Sequence, residues 1–223
     1  MKFVLLACFL FAGVLALLAW RQAWRTRFIR HFPLRERLDR RLAARRPEFT
    51  AAQRNEVFAG LRDFFLICNK AGRQSVAMPS QAAGDAWREF ALSGSHYRQF
   101  CDRAFGRFLE HTPTELVRAP AEAGASLRRA WRLACEHEGI DPKWPSRLPR
   151  LFGLDAALGL AGGWRYQRDC RSTGAADGDA YPASPSDLYY GYGSDVSTAF
   201  SGSSDCGGGD AGGGGDGGGG GGD

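Results

Sequence analysis

Hydrophobic residues follow two patterns along the chain, one continuous and one periodic. Residues 3–20 form an uncharged run, FVLLACFLFAGVLALLAW. In a helix, this run would span roughly 27 Å, close to the thickness of a bilayer core. From residue 47 to about residue 171, apolar residues return every three or four positions, which is typical of amphipathic helices. The pattern predicts an N-terminal membrane helix followed by a helical domain.

Five helices are predicted within the domain. Thr50 followed by Gln53 has the spacing of a capping box, and Gly72 is typical of a helix end. Apolar periodicity, glycines and prolines place the other boundaries. The predicted helices run from Thr50 to Gly72, from Ser80 to Gly94, from Ser95 to Pro113, from Pro120 to Glu138 and from Ser146 to Gly159. No stretch alternates as a half-buried strand would, so we predict an all-α fold with a single N-terminal transmembrane helix, a small helical bundle and a disordered tail.

Charge divides the chain further, although the net charge is only +5. Residues 21–46 contain ten Arg and two acidic residues, a local net charge of +8. Residues 172–223 contain eight Asp and no Lys, Arg or His, and their high glycine content leaves little to bury. We therefore predict four parts: a transmembrane anchor over 1–20, an Arg-rich juxtamembrane segment over 21–46, a helical domain over 47–171, and a disordered glycine-rich acidic tail over 172–223.

The apolar run has three interpretations. A cleaved signal peptide needs a basic start, a shorter core and small residues before the cleavage site, whereas this run ends in Leu-Leu-Ala-Trp. A lipoprotein acylated at Cys8 would have too few preceding residues for an export core. An uncleaved anchor fits best, and the arginines after it place the remaining chain in the cytoplasm. The bias of 26 Arg against 3 Lys suggests a GC-rich bacterial genome, so we expect a single-pass protein of the inner (plasma) membrane.

The residues after the anchor combine arginine with aromatic side chains. This combination is typical of a helix at the surface of an anionic leaflet. The residues predicted at the membrane surface are Arg21, Trp24, Arg25, Arg27, Phe28 and Arg30. The same arginines would also suit RNA phosphates. Their position beside the bilayer favours lipid, so we do not expect nucleic acid as a partner.

Histidine and cysteine provide the only candidates for a chemical site. His96, Cys101 and His111 would form a metal site if the third predicted helix folded back. Zn²⁺ usually takes close pairs such as Cys-x₂-Cys, which the chain lacks, so structural roles are favoured. In a reducing cytoplasm, the scattered cysteines of the domain are expected to be buried thiols. We predict no catalytic residue, no metal and no cofactor.

Residues 78–113 read MPSQAAGDAWREFALSGSHYRQFCDRAFGRFLEHTP. This stretch resembles part of the glycine-rich domain-containing protein family, and residues 126–166 resemble membrane-anchored bacterial proteins grouped with it. The chain departs from the family pattern at Arg88, where the family has His. The resemblance implies a helical fold and almost no chemistry. The matching motif positions are Trp87, Tyr97, Phe100, Cys101, Gly106, Arg107 and His111.

These patterns predict a membrane-tethered interaction or scaffold protein that displays a cytoplasmic helical domain. Its expected partners are the lipid bilayer and a protein that the sequence does not identify. Two alternatives remain open. One is a metal-dependent or other enzyme using His96, Cys101 and His111, and the other is RNA binding through the Arg-rich segment.

Overall fold

The computed structural model describes residues 2–111 and 120–166, without the side chains of residues 120–123. The predicted tail at 172–223 lies outside the described residues. Within them the chain forms seven helices and no β-strand, which confirms the predicted all-α fold. The helices are α1 (Lys2–His31), α2 (Leu34–Arg45), α3 (Ala51–Ala71), α4 (Gln81–Ala91), α5 (Ser95–Ala104), α6 (Pro120–Glu138) and α7 (Arg150–Ala157).

Helix α3 is the centre of the domain and contacts α1, α2, α4, α6 and α7. It begins with the predicted capping box. Thr50 Oγ1 accepts a hydrogen bond from the Gln53 backbone N–H at 3.2 Å, and Gln53 Oε1 accepts one from the Thr50 backbone N–H at 2.9 Å. These bonds satisfy two donors that a helix start leaves unpaired. The apolar positions of α3 are buried, among them Val57, Leu61, Phe64, Phe65 and Cys68.

Two helices are shorter than the sequence predicts. Helix α5 ends at Ala104 instead of continuing toward Pro113, because the backbone turns at Gly106, whose φ of 67° is left-handed and suits glycine. Helix α7 begins at Arg150, several residues later than predicted. Pro149 precedes its first residue, and proline disfavours helical geometry in the residue before it. Pro149 therefore keeps the residue before it out of the helix, and α7 begins after this proline.

The core extends across the boundary that the sequence placed between residues 46 and 47. Leu34, Leu38 and Leu42 of α2 are at most 1% exposed, and Ile29 of α1 is equally buried. The three leucines are four residues apart, which puts them on one face of α2. This face joins the same hydrophobic cluster as α3, α4 and α5. Much of the Arg-rich segment is thus part of the folded domain.

Helix α1 has two halves in different environments. Its first 18 or so residues are long and apolar enough to cross a membrane, and none of them is buried against the domain. Its second half packs against α3 and α5. A signal sequence near an N-terminus meets the same criteria of length and composition. The helix is continuous from Lys2 to His31.

Candidate functional site

The aromatic motif positions form the interior of the domain. Trp87 Nε1 donates a hydrogen bond to Tyr97 Oη at 2.8 Å, and Tyr97 Oη donates to the Leu109 carbonyl oxygen at 2.6 Å. Phe100 packs nearby, with its ring centroid 5.1 Å from that of Phe90. Burial raises the pKa of the Tyr97 hydroxyl, so this group stays protonated and keeps both bonds. These residues fix α4, α5 and the segment after α5 to one another.

The structure does not bring the candidate metal ligands together. His96 is exposed on α5, whereas Cys101 is fully buried. His111 lies with its ring against Trp87, at a centroid distance of 4.6 Å, and burial lowers its pKa. Within residues 2–111 and 120–166, no group of three or more His, Cys, Asp or Glu side chains is placed to hold a metal ion. The structure therefore gives the metal alternative no support.

The buried cysteines are protonated thiols. Burial raises the pKa of Cys68 and of Cys101, and it raises the pKa of Cys135 to about 12. A thiol with a raised pKa is a poor nucleophile, because the thiolate is the reactive form. Each of these side chains instead fills space in the hydrophobic cluster.

Part of the Arg-rich segment holds α2 against α4. Arg45 Nε lies 2.7 Å from Asp85 Oδ1, and Arg46 Nη2 lies 2.6 Å from Asp85 Oδ2. Farther along the chain, Arg54 binds Asp39 at 2.8 Å and holds the pKa of that carboxyl below its usual value. These arginines carry intramolecular ion pairs. Other arginines, on α1 and in the segments after α3 and α5, form no ion pair among the described residues.

Three of the remaining arginines line a cavity of about 290 Å³ between α1, the end of α3 and the segment after α5. We call it the arginine pocket and define it by Arg25, Arg73 and Arg107. The rest of its lining is Gln22, Cys68, Asn69, Gly72, Phe105 and Gly106. Arg25 comes from α1, Arg73 follows α3, and Arg107 follows α5. Among the described residues, none of the three is part of an ion pair.

Hydrogen bonds hold the wall of the arginine pocket. Arg107 Nη2 donates to the Gly72 carbonyl oxygen at 2.7 Å, which ties the segment after α5 to the end of α3. Gln22 Nε2 donates to the Asn69 carbonyl oxygen at 3.4 Å. Asn69 Nδ2 in turn donates to Thr26 Oγ1 at 3.3 Å. Two bonds therefore join α1 to α3 beside the cavity.

Gly106 allows Arg25 to reach the pocket. A β-carbon on Gly106 would overlap the Arg25 guanidinium group. The left-handed backbone at this glycine is also one that other residues adopt at a cost. The motif position Gly106 and the predicted membrane-surface residue Arg25 are therefore parts of one site.

The sequence analysis singled out two of the three pocket arginines, but it did not predict that the three lie together. Arg25 was predicted at the membrane surface, and Arg107 was assigned to a motif. Arg73 was missed, because a single arginine after a helix-ending glycine carries no signal of its own. The three residues are far apart in the chain, and only the packing of α1, α3 and α5 brings them together.

Of the other residues predicted at the membrane surface, Phe28 is partly buried and packs against the hydrophobic core. Its ring stacks on Trp24 at 5.7 Å between centroids and contacts Phe100 at 5.8 Å. Arg21, Arg27 and Arg30 are exposed. The aromatic face of α1 thus docks on α5, while most of its arginines remain on the surface.

Over the part of the chain that the structure describes, the fold and site define a class: an all-helical domain with a basic pocket, preceded by one apolar helix long enough to span a membrane. The chain belongs to the UCP032817-like family, which it matches over residues 24–185. This match overturns the resemblance to glycine-rich domain-containing proteins, which nothing supports. No curated protein and no solved structure matches the chain. The family name states no activity.

Proposed function

We propose that this protein is a single-pass inner-membrane protein whose helical domain acts in the cytoplasm as an interaction or scaffold module without catalytic activity. The observation that carries the proposal is the division of α1. Its apolar half is exposed throughout, whereas Ile29 near its end belongs to the domain core. A bilayer would cover the apolar half at a gain of roughly 25 cal/mol per Å² of apolar surface removed from water.

The arginines after the apolar run support the orientation. Positively charged residues within about 15–20 positions of a span stay in the cytoplasm. Arg21, Arg25, Arg27 and Arg30 fall in this window, against Lys2 before the run. This bias supports a cytoplasmic position for the Arg-rich side and the domain attached to it.

The main alternative interpretation of α1 is a cleaved signal sequence. Against it, α1 continues without a break into the part that packs on α3 and α5. Trp20 and Arg21, at the end of the apolar run, also make a poor cleavage site because signal peptidases require small residues there.

Membrane attachment and orientation are tested together in cells that produce the full chain. Carbonate extraction and intact mass establish whether residues 1–20 are retained in the membrane fraction. A membrane-impermeant thiol reagent then reads Cys206 in a Cys170→Ser background, with Cys170→Ser/Cys206→Ser as the matched control. We expect full-length mass, resistance to carbonate and labelling only after lysis. A shortened mass, or labelling in intact cells, contradicts the proposal.

The scaffold role needs a separate measurement. Crosslinking in intact cells is expected to join the domain reproducibly to a cytoplasmic protein, and mass spectrometry of the linked peptides maps the contact. Turnover of a substrate by the purified chain, or crosslinks confined to periplasmic proteins, would contradict a non-catalytic cytoplasmic role.

A further inference from the structure

We propose that the arginine pocket binds the phosphate group of an anionic phospholipid headgroup. The domain would then contact the membrane surface at a defined site, in addition to being attached through the apolar half of α1. This inference rests on the proposed membrane attachment. It goes further by assigning a ligand class to a pocket formed by Arg25, Arg73 and Arg107.

The charges of the pocket favour an anion. Three arginines from three separate segments line one cavity, and no Asp or Glu is among the residues that line it. Within residues 2–111 and 120–166, no Asp or Glu forms an ion pair with any of the three. Arginine binds phosphate through two parallel N–H···O bonds, which makes it suited to this ligand.

Carbonyl groups at the end of α3 also face the site, and they would repel an anion if they were free. Two of them are occupied. The Gly72 carbonyl accepts from Arg107, and the Asn69 carbonyl accepts from Gln22. Arg107 uses this bond to hold its position, and a guanidinium group has five N–H donors, so others remain for a ligand.

The position of the pocket along α1 selects lipid over a dissolved anion. Arg25 lies five residues beyond Trp20, the end of the apolar run, which is about 7.5 Å along a helix. Headgroup regions add roughly 5–8 Å to each side of the hydrocarbon core. Arg25, on the α1 side of the pocket, therefore lies at the depth of lipid phosphates when the apolar half of α1 spans the bilayer.

The size of the cavity agrees with a headgroup and not with a whole lipid. Its volume of about 290 Å³ is at the lower end of small-molecule sites. A phosphate with its glycerol substituent fits this volume, and the acyl chains would stay in the bilayer beside α1. Phosphatidylglycerol has this chemistry.

The test uses the full-length protein in a neutral maltoside detergent. The probes are dihexanoyl phosphatidylglycerol, which is water-soluble, and inorganic phosphate, and calorimetry measures the binding of each. The pocket variant is Arg25→Gln/Arg73→Gln/Arg107→Gln. The matched control is Arg40→Gln/Arg132→Gln/Arg165→Gln, which removes the same charge from exposed arginines outside the pocket. Circular dichroism checks that both variants remain folded.

A second variant, Gly106→Ala, keeps every charge and changes only the geometry. Its β-carbon displaces the Arg25 guanidinium group. It is therefore expected to weaken lipid binding in a protein with unchanged net charge. This variant separates a built site from a general attraction to a basic surface.

We expect one saturable lipid site, weakened at least about tenfold in the pocket variant because a hydrogen bond to a charged group is worth roughly that factor or more. The control variant should bind within about twofold of the natural chain, since screening reduces the effect of distant charges. Equal losses in both variants, or no saturable lipid binding, would overturn the site. Inorganic phosphate binding as tightly as the lipid would overturn the assignment to lipid.

Failure of this inference differs from failure of the proposed function. A chain that resists carbonate extraction but lacks a pocket-dependent lipid site is still a membrane protein, and only the ligand is wrong. A chain that is cleaved or soluble in cells loses the membrane proposal, whatever the pocket binds in detergent.

Discussion

Asp155 is the only charged residue among the described ones that is almost completely buried. Its carboxylate lies at the start of α4. Oδ1 accepts from Ser80 Oγ at 2.6 Å and from the Ala82 backbone N–H at 3.1 Å. Oδ2 accepts from the backbone N–H groups of Gln81 at 2.8 Å and Trp164 at 3.1 Å. Asp155 thus joins α7, α4 and the segment after α7.

Asp155→Ala is expected to lower the free energy of unfolding by about 2–4 kcal/mol. It leaves buried donors at the start of α4 unsatisfied, each costing about 1–3 kcal/mol before relaxation, and it removes a negative charge from a helix N-terminus. Urea unfolding followed by circular dichroism measures the change. Asp102→Ala, at an exposed position of α5, is the control and should shift stability by no more than about 0.5 kcal/mol. Equal effects of the two substitutions would show that the buried bonds contribute nothing.

The lowered pKa of His111 predicts that the stability of the domain depends on pH, and it fixes the expected sign. Burial is the largest effect and lowers its pKa. Hydrogen bonds with the backbone of Gly84 and of His111 itself oppose this shift, and the nearby charges of Arg88 and Asp85 act in opposite directions to each other. The unfolded chain, with a His pKa of about 6.5, therefore takes up a proton at a higher pH than the folded chain does. The contribution of neutral His111 to the free energy of unfolding is fully present above the unfolded pKa of about 6.5. It is lost as the pH falls from there through the lower pKa of the folded state.

Unfolding free energies of the natural chain and of His111→Gln, measured from pH 7.5 to pH 5, test this expectation. The natural chain should lose more stability than the variant over this interval, since the variant lacks the imidazole at position 111 and the other three histidines are common to both proteins. The carboxyl of Asp39 has a lowered pKa and titrates below this range, so it does not interfere. Parallel curves for the two proteins would refute the assignment.

Local signals predicted residues well where the partners are close in sequence. Thr50 and Gln53 form the predicted cap, and Gly72 lies at the end of α3. The partners of Asp155 are 73 to 75 residues earlier in the chain and 9 residues later. No spacing rule links residues so far apart, so this site could not be predicted.

At the scale of elements, α2 shows how composition can conceal a periodic pattern. Its sequence is dominated by arginine, which favoured a membrane-surface segment. Leu34, Leu38 and Leu42 nevertheless recur every four residues and form its buried face. Asp85 of α4 then binds Arg45 and Arg46 at the end of α2. The charges of α2 partly serve its docking, which depends on a carboxylate about 40 residues away.

Helix existence was more predictable than helix length. All five helices predicted between residues 47 and 171 are present, but α5 ends before Gly106 and α7 starts after Pro149. Phe108 fits the apolar periodicity of the sequence, but it lies beyond the end of α5 and its side chain is exposed. Periodicity alone cannot show that a left-handed glycine interrupts a stripe.

At the scale of the whole molecule, the arginine pocket depends on three helices meeting. The sequence gives the position of each arginine in the chain. It does not predict which residues lie near that arginine in space, because this depends on how α1 and α5 pack around α3. The packing also joins the second half of α1 to the domain. The apolar half of α1 and the half that packs in the core therefore belong to one unbroken helix.

The folded unit should therefore require residues before 47. A fragment of residues 47–223 lacks Ile29, Leu34, Leu38 and Leu42, which are all buried. At about 1.5–3 kcal/mol for each buried aliphatic side chain, their loss is comparable to the whole stability of a domain. The three fragments below separate the contributions of α1 and α2.

We expect fragment 22–223 to unfold cooperatively on heating. Fragment 47–223 should show no cooperative transition and should bind a hydrophobic dye. Fragment 33–223 keeps α2 without α1, so an intermediate midpoint would assign the remaining stability to α1. If fragment 47–223 unfolds cooperatively at the same midpoint as fragment 22–223, the boundary predicted at residue 47 stands and α2 is an accessory to the core.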